Sequence, residues 1–225
     1  MLTKRQVTEI KNYLDKSQNP IFFFDNDLDG LCSFLLLRRF IDRGVGVPVK
    51  SFPDLQVAYF RKIKELNADY VFILDKPKVS DEFFKAAEQE NIPVIWIDHH
   101  KIEDEIPRWV HYYNPLLNKS GNNEPVTRLC FQVSRRKRDI WIAIIGCIGD
   151  VYLPKFYSIF KKQYPELAKN SDSAADIFFS SEIGKIAKMI NFGLKDRTGN
   201  VIKMLKFLIF AKSPYDILEE NPKTY

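Results

Sequence analysis

Short apolar runs alternate with amphipathic stretches over the first two thirds of the chain. Four runs have the composition and length of buried strands, at residues 20–24, 47–52, 70–74 and 93–97. Between them, residues 31–41 and 55–66 carry apolar positions at helical spacing, and Ser80 is placed to cap a third helix. This alternation predicts an α/β fold in which a parallel sheet is flanked by helices.

The pattern becomes helical from residue 125 onward. Helices are predicted at residues 126–133, 140–148, 155–163, 177–192 and 200–211, with the start of another at 215–220. The basic run 135–138 joins the first two of them. We interpret this run as a solvated loop, with a contact to a phosphate backbone as the alternative.

Composition narrows the class of protein without identifying it. Of 225 residues 45% are hydrophobic, which is enough for a packed core, and three cysteines without CxxC spacing are expected to be buried thiols. The N-terminus is charged and no apolar run has the length of a membrane span, so we expect a cytoplasmic protein with no membrane partner. A net charge of +5 permits a polyanionic partner.

Three of the four predicted strands end in acidic or histidine residues. The segments concerned are Asp25-Asn26-Asp27-Leu28-Asp29-Gly30 after the first strand, Asp75 after the third and Asp98-His99-His100 after the fourth. The carboxyl ends of parallel strands line the ligand crevice of an open α/β sheet. We therefore expect these side chains to converge on one site.

The residue types at these strand ends suit a divalent cation. Alternating acids can point two carboxylates at one ion, although Asp, Asn and Gly are also ordinary turn formers. The chain has three histidines, and the adjacent pair His99 and His100 ends a buried strand, either as ligands or as an exposed loop pair. Asp98 could orient an imidazole through its second nitrogen. His111 has no such neighbours, and we interpret it as structural.

Four motifs in this order resemble those of the DHH phosphoesterase superfamily. They are Asp27-Leu28-Asp29-Gly30, Leu74-Asp75, Asp98-His99-His100 and Gly146-Cys147-Ile148-Gly149-Asp150. The resemblance covers roughly residues 18–155, and the residues around the motifs look most like archaeal RecJ-type single-strand exonucleases. It implies a DHH catalytic α/β domain over residues 1–155.

The resemblance also implies a set of metal ligands. Asp27 would bind a first cation and Asp29 a second, with Asp75 bridging the two. His99 and Asp150 would complete the second position. Two divalent cations are implied, Mn²⁺ or alternatively Mg²⁺. An Asp-rich site with histidine suits these ions better than it suits structural Zn²⁺, which prefers Cys and His ligands.

Catalytic and substrate-binding roles follow from the same resemblance and from position. His100 would face the scissile phosphate, with Asp98 as its catalytic partner. Lys76 and Lys78 come directly after the bridging aspartate, where their ammonium groups are expected to hold substrate phosphates.

Two departures from the family pattern affect these expectations. Many relatives carry a histidine just upstream of the first acidic pair, where this chain has Phe22-Phe23-Phe24. Asp25 is the nearby substitute, either as a weaker ligand or as a group that supports the ligands. A glycine-rich, histidine-containing C-terminal domain is also usual, but no glycine pair and no histidine after His111 occur here. We therefore expect residues 156–225 to be a helical extension toward a second domain that this chain lacks, or that a second chain supplies.

The leading hypothesis is a metal-dependent exonuclease acting on single-stranded DNA or RNA. An oligoribonuclease or a cyclic-dinucleotide phosphodiesterase is the enzymatic alternative, since all three share the metal-site motifs. A non-catalytic replication scaffold of the DHH type is the alternative from another class. Retention of the five acidic and histidine ligands argues against that scaffold.

Overall fold

The computed structural model describes residues 1–50, 52, 54–101, 105–119 and 121–218. Its strands are β1 Pro20–Asp25, β2 Val45–Val49, β3 Tyr70–Leu74, β4 Val94–Ile97 and β5 His111–Tyr113. They form one five-stranded sheet in the order β2-β1-β3-β4-β5, and every neighbouring pair is parallel. The predicted α/β class, with a parallel sheet, is confirmed.

Helices cover both faces of the sheet and continue beyond it. They are α1 Lys4–Lys16, α2 Leu28–Ile41, α3 Phe60–Glu65, α4 Asp81–Gln89, α5 Val126–Ser134, α6 Ile140–Gly149, α7 Tyr157–Gln163, α8 Ala174–Ser180, α9 Glu182–Gly193, α10 Thr198–Phe210 and α11 Tyr215–Leu218. Among the helices that the structure describes, none is both long and apolar enough to pass through a bilayer.

The interior strand β1 is buried along its whole length because the sheet is covered on both faces. Alternate residues enter two different cores. Phe22 and Phe24 face a larger cluster that contains α1, α2, α5 and α6. Ile21 and Phe23 face a smaller cluster under α3 and α4. The apolar run that marked this segment in the sequence is therefore a core strand between two helical layers.

Several predicted boundaries differ from the structure. The second strand was predicted at residues 47–52, but β2 is Val45–Val49, and Phe52 is 86% exposed. The helix predicted at 177–192 is two helices, because Ser181 is extended and its side chain caps the second one by accepting from Gly184 N. Strand β5 was not predicted, since three residues are too few to show a period of two.

The helical extension packs directly on the α/β part. Phe160, Ile177 and Ile186 are fully buried in the same hydrophobic cluster as Leu31 and Ile144. The boundary at residue 155 and the link to a second domain stay predictions. The described helices after that boundary do, however, share one core with the sheet's helical layer.

A buried arginine on α2 joins the extension to the α/β part. The guanidinium of Arg39 lies 2.8 Å from an Asp139 carboxylate oxygen, and both side chains are almost fully buried. Its Nη1 donates to the carbonyl oxygens of Leu208, at 2.9 Å, and Ala211, at 2.7 Å, at the end of α10. Arg136 also pairs with Asp139, at 3.0 Å. The basic run is therefore only partly the solvated loop that the sequence suggested.

We predict that Arg39→Met lowers the free energy of unfolding by about 3–5 kcal/mol, measured by urea denaturation. Removing one partner of a buried pair leaves the Asp139 charge with less compensation and the α10 carbonyls without a donor. Arg5→Met is the matched control, because the ion pair of Arg5 with Glu9 lies on the surface. Equal effects of both substitutions would contradict the role assigned to the buried pair.

Candidate metal centre

The carboxyl edge of the sheet gathers the predicted site residues. Asp25 is the last residue of β1, Asp75 follows β3 and Asp98 follows β4, and these are adjacent strands. Each side chain is almost completely buried, with 6%, 2% and 1% of its residue surface exposed. The expected convergence of strand ends on one location is therefore what the structure shows.

The turn between β1 and α2 brings two further carboxylates to this edge. Asp27 is the N-cap of α2, and its side chain accepts a hydrogen bond from Gly30 N at 2.9 Å. A Cβ atom at position 30 would collide with the Asp25 backbone. The glycine is thus required for the close return of the chain that places Asp27 and Asp29 at this edge.

Asp29 is held by the start of another helix. Its carboxylate accepts hydrogen bonds from Val126 N at 2.8 Å and Thr127 N at 2.7 Å, in the first turn of α5. Complete burial raises the pKa of Asp29 to about 7, while hydrogen bonds from Thr127 work in the opposite direction. This contact between α2 and α5 was not predicted, since the relevant groups are backbone N–H groups distant in sequence.

Asp75 occupies the centre of the acidic group. Its backbone has φ 58°, a left-handed conformation that Asp and Asn adopt more readily than most residues. Burial, and then the charges of Asp29 and Asp27, raises its pKa well above the usual range. Among the described residues, its Oδ1 has no hydrogen-bond partner. A buried acceptor of this kind, facing other carboxylates, fits a bound cation.

The His99 ring supports the same interpretation. Its Nδ1 lies 2.8 Å from the amide oxygen of Asn123, which accepts, so Nδ1 is the nitrogen that donates to the loop and Nε2 is the one that faces the acidic group. Nε2 lies 3.4 Å from Asp75 Oδ1 and 4.0 Å from Asp29 Oδ2. An imidazole nitrogen and two carboxylate oxygens at these distances suit a cation, and Asn123 would fix the ring for it.

Three overlapping groups of ligand atoms can be distinguished at this edge, and within each the atoms lie within 4.8 Å of one another. The groups are Asp25, Asp27 and Asp75; Asp29, His99 and Asp150; and Asp75, His99 and His100. Carboxylate oxygens with one or two imidazoles suit Mn²⁺ or Mg²⁺. The residues present therefore fit divalent cations. Asp75 belongs to two of the groups but not to the one with Asp29, His99 and Asp150, so its bridging position stays a prediction.

His100 is held differently from His99. Its Nδ1 lies 2.8 Å from Asp98 Oδ1, and the ring is partly exposed. Asp98 Oδ2 accepts from the His100 backbone N–H at 3.1 Å and from the Tyr112 hydroxyl at 3.3 Å. The hydrogen bond to Asp98 raises the pKa of His100, although burial opposes it. The predicted pairing of the two residues agrees with this geometry, whereas the contribution of Tyr112 was not foreseen.

The placement of Lys76 does not fit its predicted contact with substrate phosphates. Its side chain is fully buried, and its ammonium lies 3.2 Å from Asp25 Oδ1 and 2.8 Å from the Lys50 carbonyl oxygen. The strand-end position suggested exposure, but the chain directs this lysine into the protein. Lys78 is exposed, and its substrate contact stays a prediction.

The sequence model of the DHH family, N-terminal domain, matches residues 21–145, which is more than half of the chain. The chain belongs to the DHH family. The matched region ends within α6 and contains every site residue except Asp150. A search of curated proteins found no match.

Solved structures of DHH-type proteins share this fold. An exonuclease RecJ bound to manganese superposes with a TM-score of 0.70 at 15% identity, covering 100% of this chain and 66% of its own. RecJ from Thermus thermophilus in complex with Mn²⁺ gives 0.66 at 16% identity, covering 95% and 35%. CDC45 from Entamoeba histolytica gives 0.50 at 18% identity, covering 71% and 36%. The chain thus spans less than two thirds of either RecJ protein.

We predict that Asp75→Asn raises the free energy of unfolding by about 0.5–2 kcal/mol when divalent cations are removed by chelation. The raised pKa of Asp75 means that its ionised form destabilises the folded state at neutral pH, and an uncharged amide removes this repulsion. Asparagine also tolerates the left-handed backbone at this position.

The same Asp75→Asn variant should lose most of the increase in melting temperature that Mn²⁺ gives the unmodified protein. Asp172→Asn is the control, because Asp172 is an exposed aspartate outside the site. A variant that is less stable than the unmodified protein under chelation, or that keeps the full Mn²⁺ effect, would contradict this account of the acidic group.

Proposed function

We propose that this protein is a divalent-metal-dependent phosphodiesterase that degrades single-stranded nucleic acid as an exonuclease. The observation that carries the proposal is the buried Oδ1 of Asp75, which has no hydrogen-bond partner among the described residues and lies 3.4 Å from His99 Nε2, itself 4.0 Å from Asp29 Oδ2. Membership of a family of phosphoesterases and nucleases, and the RecJ-like fold, supports the type of reaction.

The proposed ligand assignment follows two of the three groups of atoms and adds Asp75 to the second as a bridging ligand. Asp27 and Asp75 would hold one divalent cation, with Asp25 as a weaker ligand. Asp75 would share the second cation with Asp29, His99 and Asp150, three residues whose ligand atoms lie within 4.8 Å of one another. Bound cations of this kind neutralise charge on a phosphate and lower the pKa of water, and Mn²⁺ is the ion we propose first.

His100 is the residue that we propose to contact the reacting phosphate. Asp98 holds its Nδ1 at 2.8 Å, so Nε2 is the nitrogen that can donate to a phosphate oxygen. Its raised pKa favours the protonated ring, which carries the positive charge that stabilises a developing negative charge. Asp98 and Tyr112 act by positioning this ring. The exposed ammonium of Lys78 is the proposed contact to a neighbouring phosphate.

The enzymatic alternatives differ in substrate length, and the metal site does not separate them. An oligoribonuclease or a cyclic-dinucleotide phosphodiesterase would use the same ligands on a shorter substrate. A non-catalytic scaffold is the alternative that the fold similarity to CDC45 brings forward. The presence of Asp27, Asp29, Asp75, His99 and Asp150 favours an enzyme over that scaffold.

We predict Mn²⁺-dependent degradation of single-stranded substrates, and a panel of end-labelled DNA, RNA and dinucleotides tests it. Single-stranded DNA or RNA should be shortened faster than dinucleotides, and chelation should abolish the reaction. Preference for dinucleotides would favour the alternative enzymes. An absence of cleavage with every substrate, also after addition of a candidate second chain that carries the C-terminal domain, would favour the scaffold.

We predict that His100→Ala lowers kcat by about 10²–10³-fold, the range found when one donor to a developing oxyanion is removed. Its affinity for Mn²⁺, measured by calorimetry, should change much less. His111→Ala is the matched control, because that ring bonds to the Tyr13 hydroxyl at 3.1 Å, away from the acidic group. If His100→Ala instead lost a cation, His100 would be a ligand rather than a phosphate contact.

A further inference from the structure

The side chain of Lys76 is a buried cation at the edge of the candidate metal centre. It directly follows Asp75 in sequence, and none of its side-chain surface is exposed. Its ammonium is held by a carboxylate oxygen of Asp25 at 3.2 Å and by the Lys50 carbonyl oxygen at 2.8 Å. A buried ammonium is stable only when it is paired and hydrogen-bonded, and these contacts place this one directly beside the Asp25 carboxylate.

The backbone around this lysine is also fixed. The preceding residue has φ 58°, and the Lys76 carbonyl oxygen accepts a hydrogen bond from Trp96 Nε1 at 2.9 Å. Trp96 lies on β4 and is itself buried. The ammonium therefore belongs to the folded core, and moving it away would leave both Asp25 and the Lys50 carbonyl without this donor.

The two groups of ligand atoms that we assign to cations differ in how their carboxylates are compensated, because of this ammonium. Asp25 forms a group with Asp27 and Asp75, and so one of the three carboxylates in that group is already paired with an ammonium. In the group around His99, Asp29 is compensated by backbone N–H groups at the start of α5. Those groups carry only partial charge, so they leave more of the carboxylate's charge for a divalent cation.

We propose that Lys76 makes the two cation positions unequal, so that its ammonium acts as a built-in cation beside Asp25. The position formed by Asp29, Asp75, His99 and Asp150 binds one divalent ion tightly. The position formed by Asp25, Asp27 and Asp75 binds its ion at least about tenfold more weakly, because that ion must share Asp25 and is repelled by the ammonium. This inference rests on the proposed metal-dependent function and concerns its ion stoichiometry.

Calorimetric titration with Mn²⁺ of the unmodified protein and of Lys76→Met tests the proposal. The unmodified protein should show one tight and one weak binding event. Lys76→Met should tighten the weak event by about tenfold or more, because the substitution nearly keeps the length of the side chain and removes its charge. Lys50→Met is the matched control: it removes an exposed ammonium but keeps the carbonyl that Lys76 uses, and both events should stay as they are.

Lys76→Gln provides a second variant in case the methionine variant does not fold. Its amide can still donate hydrogen bonds, and it also lacks the charge. Electron paramagnetic resonance gives a readout independent of activity. At one equivalent of Mn²⁺ the unmodified protein should show the resolved hyperfine lines of an isolated ion, whereas the charge-neutral variants should show more of the broadened signal of two neighbouring ions.

The outcomes separate this inference from the function on which it rests. Two equally tight Mn²⁺ ions in the unmodified protein, or an unchanged weak event in both Lys76 variants, would overturn the inequality while leaving a metal-dependent nuclease intact. Failure to bind any Mn²⁺ would overturn the proposed function together with it. If the weak binding event tightens in the Lys76 variants and not in Lys50→Met, the result supports the proposal that the Lys76 ammonium weakens the cation position beside Asp25.

Discussion

The structure depends on one electrostatic problem, the gathering of several carboxylates at the buried carboxyl edge of a parallel sheet. Each of Asp25, Asp29 and Asp75 is almost completely removed from water. Burial raises the pKa of Asp29 and of Asp75, and neighbouring carboxylates raise that of Asp75 further. Each of these carboxylates is compensated by a different kind of group. An ammonium pairs with Asp25, backbone N–H groups bind Asp29, and Asp75 keeps an oxygen that a cation would satisfy. Such an arrangement is less stable than an apolar edge would be, and sites of this kind are retained where function needs them.

The rest of the molecule positions these groups. The fully buried strand β1 fixes the start of the acidic turn, and α5 places its N-terminus against the turn. The helical extension reaches the same turn, since the Asn26 side chain donates to the Leu194 carbonyl oxygen at 3.2 Å, at the end of α9. Arg39 holds the end of α10 against α2, whose first turn contains Asp29. The candidate metal centre and the described helices of the extension are therefore parts of one packed body.

Family membership rests on the sequence match and the shared fold, whereas catalytic detail depends on residues particular to this chain. The DHH family match covers residues 21–145, and the RecJ-like fold is retained at 15% and 16% identity. At such identity the fold is the shared property, and substrate choice depends on residues outside the motifs. Two features of this chain matter most for its own chemistry: the phenylalanines that stand before the acidic turn and the buried lysine after Asp75. Both concern the same end of the site, where Asp25 lies.

The sequence by itself determined the fold class and the strands whose carboxyl ends form the candidate site. It also determined which acidic and histidine residues converge there. It could do so because buried parallel strands are continuous apolar runs, and because the carboxyl ends of such strands share one edge. Only the tertiary structure decided what each side chain contacts. Lys76 was expected to reach substrate but points inward, and the partner of Asp29 is the backbone of a helix that begins almost a hundred residues later. Asn123 orients His99 from a loop that has no motif. Such contacts join groups that are distant in sequence, and backbone N–H groups and loop amides have no periodic pattern by which a sequence could reveal them.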